Sequence, residues 1–205
     1  MAVRRGVPSL VLSLIVLMAV AVGAPSASAL SLDTVKGGQT ALFVPLSNVQ
    51  KLGQASIYVS PIAPAFLTFN SLAEGPAIRF PISGGAVESA TMLGTVNHRG
   101  GLLIQKFNPD GTVATQLEVT EPQIVAGASL IGNALGLVPA PTADLVNATH
   151  SKDPATGVIH FEADAQVSLV TATVLNTYFS TNAFQGGMIL GRLKSNIETK
   201  KLLGL

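Results

Sequence analysis

Strict alternation of apolar and polar residues marks the segment that begins at Val158. The alternating positions are Ile159, Phe161, Ala163, Ala165 and Val167 against His160, Glu162, Asp164, Gln166 and Ser168. A period of two places successive side chains on opposite faces, so the pattern predicts a β-strand with one solvated face. Shorter β-branched or alternating runs predict further strands at 40–46, 55–60, 77–82, 92–97 and 188–197.

The apolar period changes after Val167. Apolar residues then recur at Val170, Val174, Leu175 and Tyr178, a spacing that places them on one face of a helix. We therefore predict one late amphipathic helix at about 168–179, buried through that face. One or two helical turns are also predicted at 46–52, with Ser47 or Asn48 as the cap.

Turn signals separate the predicted strands. Asn108-Pro109-Asp110-Gly111 has the residue preferences of a type I turn and joins two apolar arms, which predicts a β-hairpin. Many short strands, glycine turns and one late helix predict a mainly β domain. Its architecture is an antiparallel β sandwich or a barrel-like domain, and the pattern leaves these two open.

Residues 1–29 have the layout of a secretory signal peptide. Arg4 and Arg5 precede an apolar run at 7–22, and Ala27-Ser28-Ala29 provides a small-x-small cleavage site. We expect an exported chain, extracellular, associated with the cell envelope or periplasmic, with a single domain at 30–205 and its core at about 40–197. An uncleaved anchor and a twin-arginine signal stay as alternatives, because the apolar run approaches spanning length and the two arginines are adjacent.

Charge and cysteine content narrow the classes of partner. Without the two arginines of the leader, ten basic residues remain against eleven acidic ones, so the net charge becomes −1 instead of +1. Nucleic acids and anionic lipids bind clustered Lys and Arg, so neither partner is expected, and neither is stable membrane insertion after cleavage. The absence of cysteine excludes disulfides, thiolate catalysis and cysteine-ligated metals.

The inventory of catalytic side chains is small, with three histidines, two tyrosines and no tryptophan. No linear signature of a hydrolase, a zinc protease or a nucleotide-binding enzyme occurs, so a non-enzymatic chain is expected. His160, Glu162 and Asp164 share one face of the strand that begins at Val158 and carry donor atoms that suit a divalent metal. A solvated sheet face requires the same alternation, so no metal site is predicted there.

Two glycine-containing strings near the middle of the chain form the most specific motif. FPISGG spans 80–85 and GTVNHRGGLLI spans 94–104. His98 lies within the second string, at a predicted strand end, followed by Arg99. The motif glycines are Gly84, Gly85, Gly94, Gly100 and Gly101. Glycine lets the backbone turn tightly or lets a ligand approach it closely.

These strings resemble the Htaa domain family of exported actinobacterial proteins. The resemblance extends more loosely through 117–124 and through LNTYF at 175–179, and covers about 40–197. It implies a β-rich extracytoplasmic domain that binds haem for uptake through a tyrosine ligand with the motif histidine beside it. Carried over by motif, the ligand-binding residues are His98 with Arg99, and Tyr58 as the upstream tyrosine. The chain departs from the family in having no tryptophan near Tyr58.

Two functions therefore stay open for the sequence. The first is a secreted, non-enzymatic Htaa-like domain that binds haem or another apolar or tetrapyrrole ligand near His98. The second is a surface or matrix protein for structure or adhesion, without a small ligand, in which His98 caps a turn and Tyr58 packs in the core. The oligomeric state and any partner protein stay open.

Overall fold

The computed structural model describes residues 31–71, 75–134 and 140–200. These belong to one compact unit, and the predicted signal peptide lies outside them. The described residues form eleven antiparallel strands and two helices. In chain order the elements are β1 (Asp33–Phe43), α1 (Leu46–Gln54), β2 (Ile57–Ile62), β3 (Phe66–Ser71), β4 (Gly75–Val87), β5 (Gly94–His98), β6 (Gly101–Phe107), β7 (Val113–Val125), β8 (Ser129–Ala134), β9 (Ala140–Lys152), β10 (Val158–Gln166), α2 (Leu169–Tyr178) and β11 (Ile189–Lys200).

Eight strands close into a barrel within the described residues. The order around it is β7, β5, β4, β1, β11, β10, β9 and β8, and the pairing of β7 with β8 closes the ring. The mainly β, antiparallel prediction is confirmed, and of the two predicted architectures the barrel is the one that forms. Closure removes the free strand edges that an open sheet leaves unpaired.

Two long strands extend the sheet beyond the barrel. The first part of β7 leaves the ring and pairs with β6, which pairs with β2. The first part of β4 pairs with β3 as well as β1, whereas its second part pairs with β5. The predicted turn at 108–111 joins β6 to β7, with the Gly111 amide donating to the Asn108 carbonyl at 3.0 Å, so the predicted hairpin is confirmed.

Apolar side chains fill the inside of the barrel. The inward positions of β10 and β11, including Ile159, Phe161, Leu193 and Ile197, are each at most 2% exposed. They form one cluster with inward residues of β4 and β5. The alternation along 158–167 therefore has the predicted cause, because every second side chain enters a close-packed interior.

The late helix forms at Leu169–Tyr178, but only Leu175 and Tyr178 of its predicted buried face pack against apolar side chains. Val170 is 73% exposed and Val174 is 52% exposed, whereas Ala172 is buried at 3%. Ser168 caps the helix by accepting a hydrogen bond from the Thr171 amide at 3.0 Å. The helix packs through Ala172 and its C-terminal end against a second apolar cluster beneath β6 and β7, which is a narrower contact than the 3.6-residue spacing indicates.

The helical turns predicted at 46–52 form a second helix. The short segment predicted at 46–52 is a regular helix, α1, that ends at Gln54. Neither Ser47 nor Asn48 is its cap, since Pro45 occupies the N-cap position without a side-chain hydrogen bond. The Asn48 amide instead donates to the backbone carbonyls of Ile189 and Leu190, which ties α1 to the start of β11. Within the described ranges, no helix has the length and apolar character needed to cross a membrane.

Candidate functional site

His98 lies inside the barrel rather than at a solvent-exposed turn. It ends β5 and is 4% exposed. Its Nδ1 lies 2.9 Å from the Pro122 carbonyl oxygen, and its Nε2 lies 2.6 Å from Thr40 Oγ1. Thr40 Oγ1 is in turn 2.8 Å from Ser195 Oγ. Thr40, His98 and Ser195 therefore form a buried polar chain that crosses an otherwise apolar core.

The hydrogen bonds fix the tautomer of His98. A carbonyl oxygen only accepts, so Nδ1 carries the hydrogen and donates it to Pro122. Nε2 then accepts from the Thr40 hydroxyl, and Thr40 accepts from Ser195. Burial lowers the pKa of His98 from its usual 6.5 to about 4, partly offset by the hydrogen bond to Pro122. His98 is therefore neutral at pH 7, and neither ring nitrogen has a free lone pair for a metal.

The free energy of unfolding is expected to decrease at acidic pH because His98 is buried. Between pH 6.5 and 4 the unfolded chain binds a proton on His98 that the folded chain does not. The contribution of His98 to the free energy of unfolding is therefore fully present above pH 6.5 and is lost as the pH falls to 4. The expected loss is on the order of 3 kcal/mol. Urea unfolding at a series of pH values measures it, and His98→Gln should remove that part of the slope. Parallel pH profiles for the two proteins would show that His98 does not titrate in this way.

The motif glycines lie where neighbouring backbones approach closely. A Cβ at Gly85 would lie 2.0 Å from the Thr95 carbonyl oxygen, and one at Gly94 would lie 2.1 Å from that of Ala86. Gly100 and Gly101 have similarly close backbone contacts, whereas a Cβ at Gly84 would meet nothing closer than 4.0 Å. The space beside four of the five is therefore filled by protein, so their contribution here is to strand packing rather than to ligand access.

Tyr58 and Arg99 are both exposed, but the structure does not bring Tyr58 to His98. Tyr58 is 57% exposed on β2, with its ring in an edge contact to Phe107 at 5.5 Å between centroids. The register through β6 and β7 separates Tyr58 from His98 by roughly 20 Å along β7. His98 faces the barrel interior, so the two side chains form no common ligand pair. Arg99 is held through its backbone amide, which donates to the Pro81 carbonyl at 2.9 Å.

The outer face of the barrel carries a hollow that spans β10, β11, β1 and β4. Three registered rows of outward side chains cross these strands. The rows are His160, Asn196, Gln39 and Pro81; Glu162, Lys194, Ala41 and Arg79; Asp164, Arg192, Phe43 and Ala77. We call the concavity lined by Ala41, Phe43, Arg79, His160, Glu162 and Lys194 the outer hollow.

The floor of the outer hollow is apolar. Ala41 and Phe43 line it, are 4% and 8% exposed, and form a small cluster outside the barrel core with the buried Ala77. Two of the three are alanines, so the backbone of the sheet lies close to the surface between larger side chains. The concavity has a volume of about 200 Å³. Because sites that enclose a small molecule have volumes of about 300–1,000 Å³, a larger ligand would lie across this surface rather than inside it.

The rim of the outer hollow carries charges of both signs, from Arg79, Lys194 and Glu162. Arg79 donates to Gln39 Oε1 at 2.8 Å and to Thr68 Oγ1 at 3.0 Å, which are neutral acceptors. No carboxylate of the described ranges forms an ion pair with Arg79. The Lys194 ammonium lies 5.1 Å from the centre of the Phe43 ring. Arg192 lies 2.7 Å from Glu162 and 3.4 Å from Asp164, so one guanidinium is shared by two carboxylates on the β10 side, and Arg79 is the cation on the β4 side.

The sequence motif did not point to this surface. Phe43 and Arg79 lie in runs that read as ordinary strands, and His160 is predicted as part of a solvated sheet face. The sequence does place small residues, Ala41 and Ala77, on the outward faces of two predicted strands, with Arg79 two positions after Ala77. These residues indicate a common surface only when the register of β1 and β4 is known.

The barrel and the hollow together define a small β-barrel domain with a candidate ligand-binding surface on its outer face. The C-terminal domain of HtaA from Corynebacterium glutamicum has a similar fold, with a TM-score of 0.57 over 82% of this chain and 99% of that chain, at 12% identity. The predicted Htaa-like fold is thereby confirmed. The likeness is one of fold. No family model and no curated protein matches the chain.

Proposed function

We propose that this chain is an exported, non-enzymatic domain that binds haem or another anionic tetrapyrrole at the outer hollow. The observation that carries the proposal is Arg79 in the same lining as the apolar Ala41 and Phe43. An amphiphilic planar ligand requires both features, because its macrocycle buries apolar area while its carboxylates need a cation.

The fold and the sequence motif support the same class of ligand. The resemblance to Htaa domains implies haem uptake outside the cytoplasm, and the similarity to the HtaA domain extends over most of this chain. The predicted signal peptide and cleavage site support export. The four strands that form the hollow span about 14 Å from β10 to β4, so the surface is wide enough for a flat macrocycle.

Replacing Arg79 with glutamine is expected to weaken haem binding about tenfold, because a charge-assisted hydrogen bond contributes about 1.5–3 kcal/mol. The measurement is a haemin titration of residues 30–205 followed by absorbance. Wild type should saturate near one equivalent.

Arg99→Gln is the matched comparison, because it removes the same charge from the surface that the sequence motif predicts. It should bind haemin like wild type. If Arg99→Gln weakens haemin binding while Arg79→Gln binds like wild type, the binding site lies beside Arg99. That result would contradict the assignment to the outer hollow.

A surface or adhesion protein without a small ligand is the second candidate. Strand β3 favours it, since Phe66, Leu67 and Phe69 are 43%, 58% and 59% exposed. Exposed apolar side chains on a strand edge suit contact with another protein. This candidate is favoured if wild type and both variants bind haemin equally weakly and without saturation.

A further inference from the structure

Strand β3 lies at an edge of the sheet. Among the described residues it pairs only with β4, so about half of its backbone amide and carbonyl groups point away from any strand partner. Such a row of groups can pair with a strand of another chain. Strand β2, which pairs only with β6 in the described part of the chain, is the other edge of the sheet.

The two edges differ in the features that prevent pairing with another chain. Natural sheets block an exposed edge with proline or with charged side chains. β2 contains Pro61, which has no amide hydrogen to donate. β3 has the sequence FLTFNS, with neither a proline nor a charged residue. β3 is therefore the unprotected edge of this sheet.

β3 also exposes apolar side chains on the face that forms the core elsewhere. Leu67 lies opposite Ile78 of β4, and directly opposed residues share a face. Ile78 is 3% exposed and belongs to the barrel core, whereas Leu67 and Phe69, on the same face of β3, are 58% and 59% exposed. The described part of the chain thus leaves more than half of each of these two side chains uncovered.

A second copy of β3 fits this edge. When two β3 strands pair antiparallel with Thr68 on the two-fold axis, Leu67 of each copy lies opposite Phe69 of the other. Aromatic and aliphatic side chains are favourable cross-strand neighbours. No like charges meet, because β3 has no charged residue. The strand is therefore complementary to itself, as the shared surface of a two-fold dimer must be.

We propose that two copies of this chain associate through antiparallel pairing of their β3 strands, centred on Thr68, into a dimer with one continuous sheet. The exposed parts of Phe66, Leu67 and Phe69 amount to on the order of 300 Å² of apolar area per copy. Obligate dimers bury several times this area, so the dimer is reversible and forms as the protein concentration rises. The strand contributes no residue to the lining of the outer hollow, so the dimer does not depend on the proposed function.

Analytical ultracentrifugation of residues 30–205 tests the association. We expect the mass of wild type to rise toward twice that of the monomer as its concentration is raised through about 100 μM. Phe69→Lys places a charge on the edge and should weaken association about tenfold or more, while urea unfolding stays close to wild type because this side chain is mostly exposed. Leu169→Lys on α2 is the matched control, since Leu169 is 74% exposed, and it should associate like wild type.

A single introduced cysteine tests the register, because the chain contains no cysteine of its own. Thr68→Cys brings two thiols to the two-fold axis, where opposed Cα atoms about 4.5–5.5 Å apart permit a disulfide. Under mild oxidation Thr68→Cys should form a covalent dimer. Ser60→Cys, at an exposed position of the β2 edge, should stay monomeric under the same conditions.

Three results would overturn the proposal. A wild-type chain that is monomeric at every concentration, with Thr68→Cys uncrosslinked, leaves the β3 edge to another protein or to no partner. Association that persists in Phe69→Lys but is lost in Leu169→Lys places the interface on α2. Crosslinking of Ser60→Cys in place of Thr68→Cys places it on β2.

Discussion

Replacing Gly94 with alanine is expected to lower the free energy of unfolding by about 4 kcal/mol or more. A Cβ at this position would lie 2.1 Å from the Ala86 carbonyl oxygen, and φ is +122°, a conformation that L side chains rarely adopt. Relief would require β4 and β5 to separate where Gly94 pairs with Val87, at the wall of the barrel. Urea unfolding at pH 7 measures the change.

Gly111→Ala is the matched control for this prediction. Gly111 also has a positive φ, +83°, but nothing lies within 4 Å of a Cβ built there. Alanine at Gly111 should therefore cost only the backbone strain, about 1–2 kcal/mol. Equal losses in Gly94→Ala and Gly111→Ala would show that the close strand approach does not limit the fold.

His98→Ala is expected to destabilise the fold by about 3–5 kcal/mol. The substitution leaves a cavity inside the barrel, and it leaves the Pro122 carbonyl and the Thr40 hydroxyl without their partner. Ser195 is affected next, because it donates to the same threonine oxygen. The measurement is denaturant unfolding of His98→Ala beside wild type at pH 7, where His98 is neutral.

His98→Gln separates lost hydrogen bonds from lost volume. A glutamine amide supplies one donor and one acceptor, as the neutral imidazole does, so this variant should recover a large part of the loss. If His98→Ala is as stable as wild type, the polar chain from Ser195 to Pro122 contributes nothing to the fold. The burial of His98 would then need another explanation.

Local patterns predicted the individual strands of this fold well. The alternation along β10 and the turn before β7 each depend on neighbouring residues, and both formed as expected. Barrel closure depends on β7 pairing with β8 while its first part pairs with β6. That choice is made by long-range pairing, which a local period does not encode. The same limit explains α2, where Val170 follows the helical spacing yet is 73% exposed.

The candidate site was harder to predict than the fold. The Htaa-like strings correctly indicated the fold, and Gly85 and Gly94 show why, since both sit where β4 and β5 pack too closely for a side chain. The motif histidine was expected near a ligand, but the structure buries it in the core. The outer hollow combines Arg79 and His160 from strands far apart in the chain. Only the register of β1, β4, β10 and β11 brings them to one face.

The most direct test of haem binding at the outer hollow is paramagnetic broadening of backbone amide NMR signals by ferric haem. Iron broadens the signals of nearby residues, so the affected amides locate the ligand without any substitution. We predict selective broadening at Ala41, Ala77 and Lys194, with the signals of Tyr58 and Gln105 intact. Broadening confined to Tyr58 and its neighbours on β6, or none at saturating haem, would contradict the account.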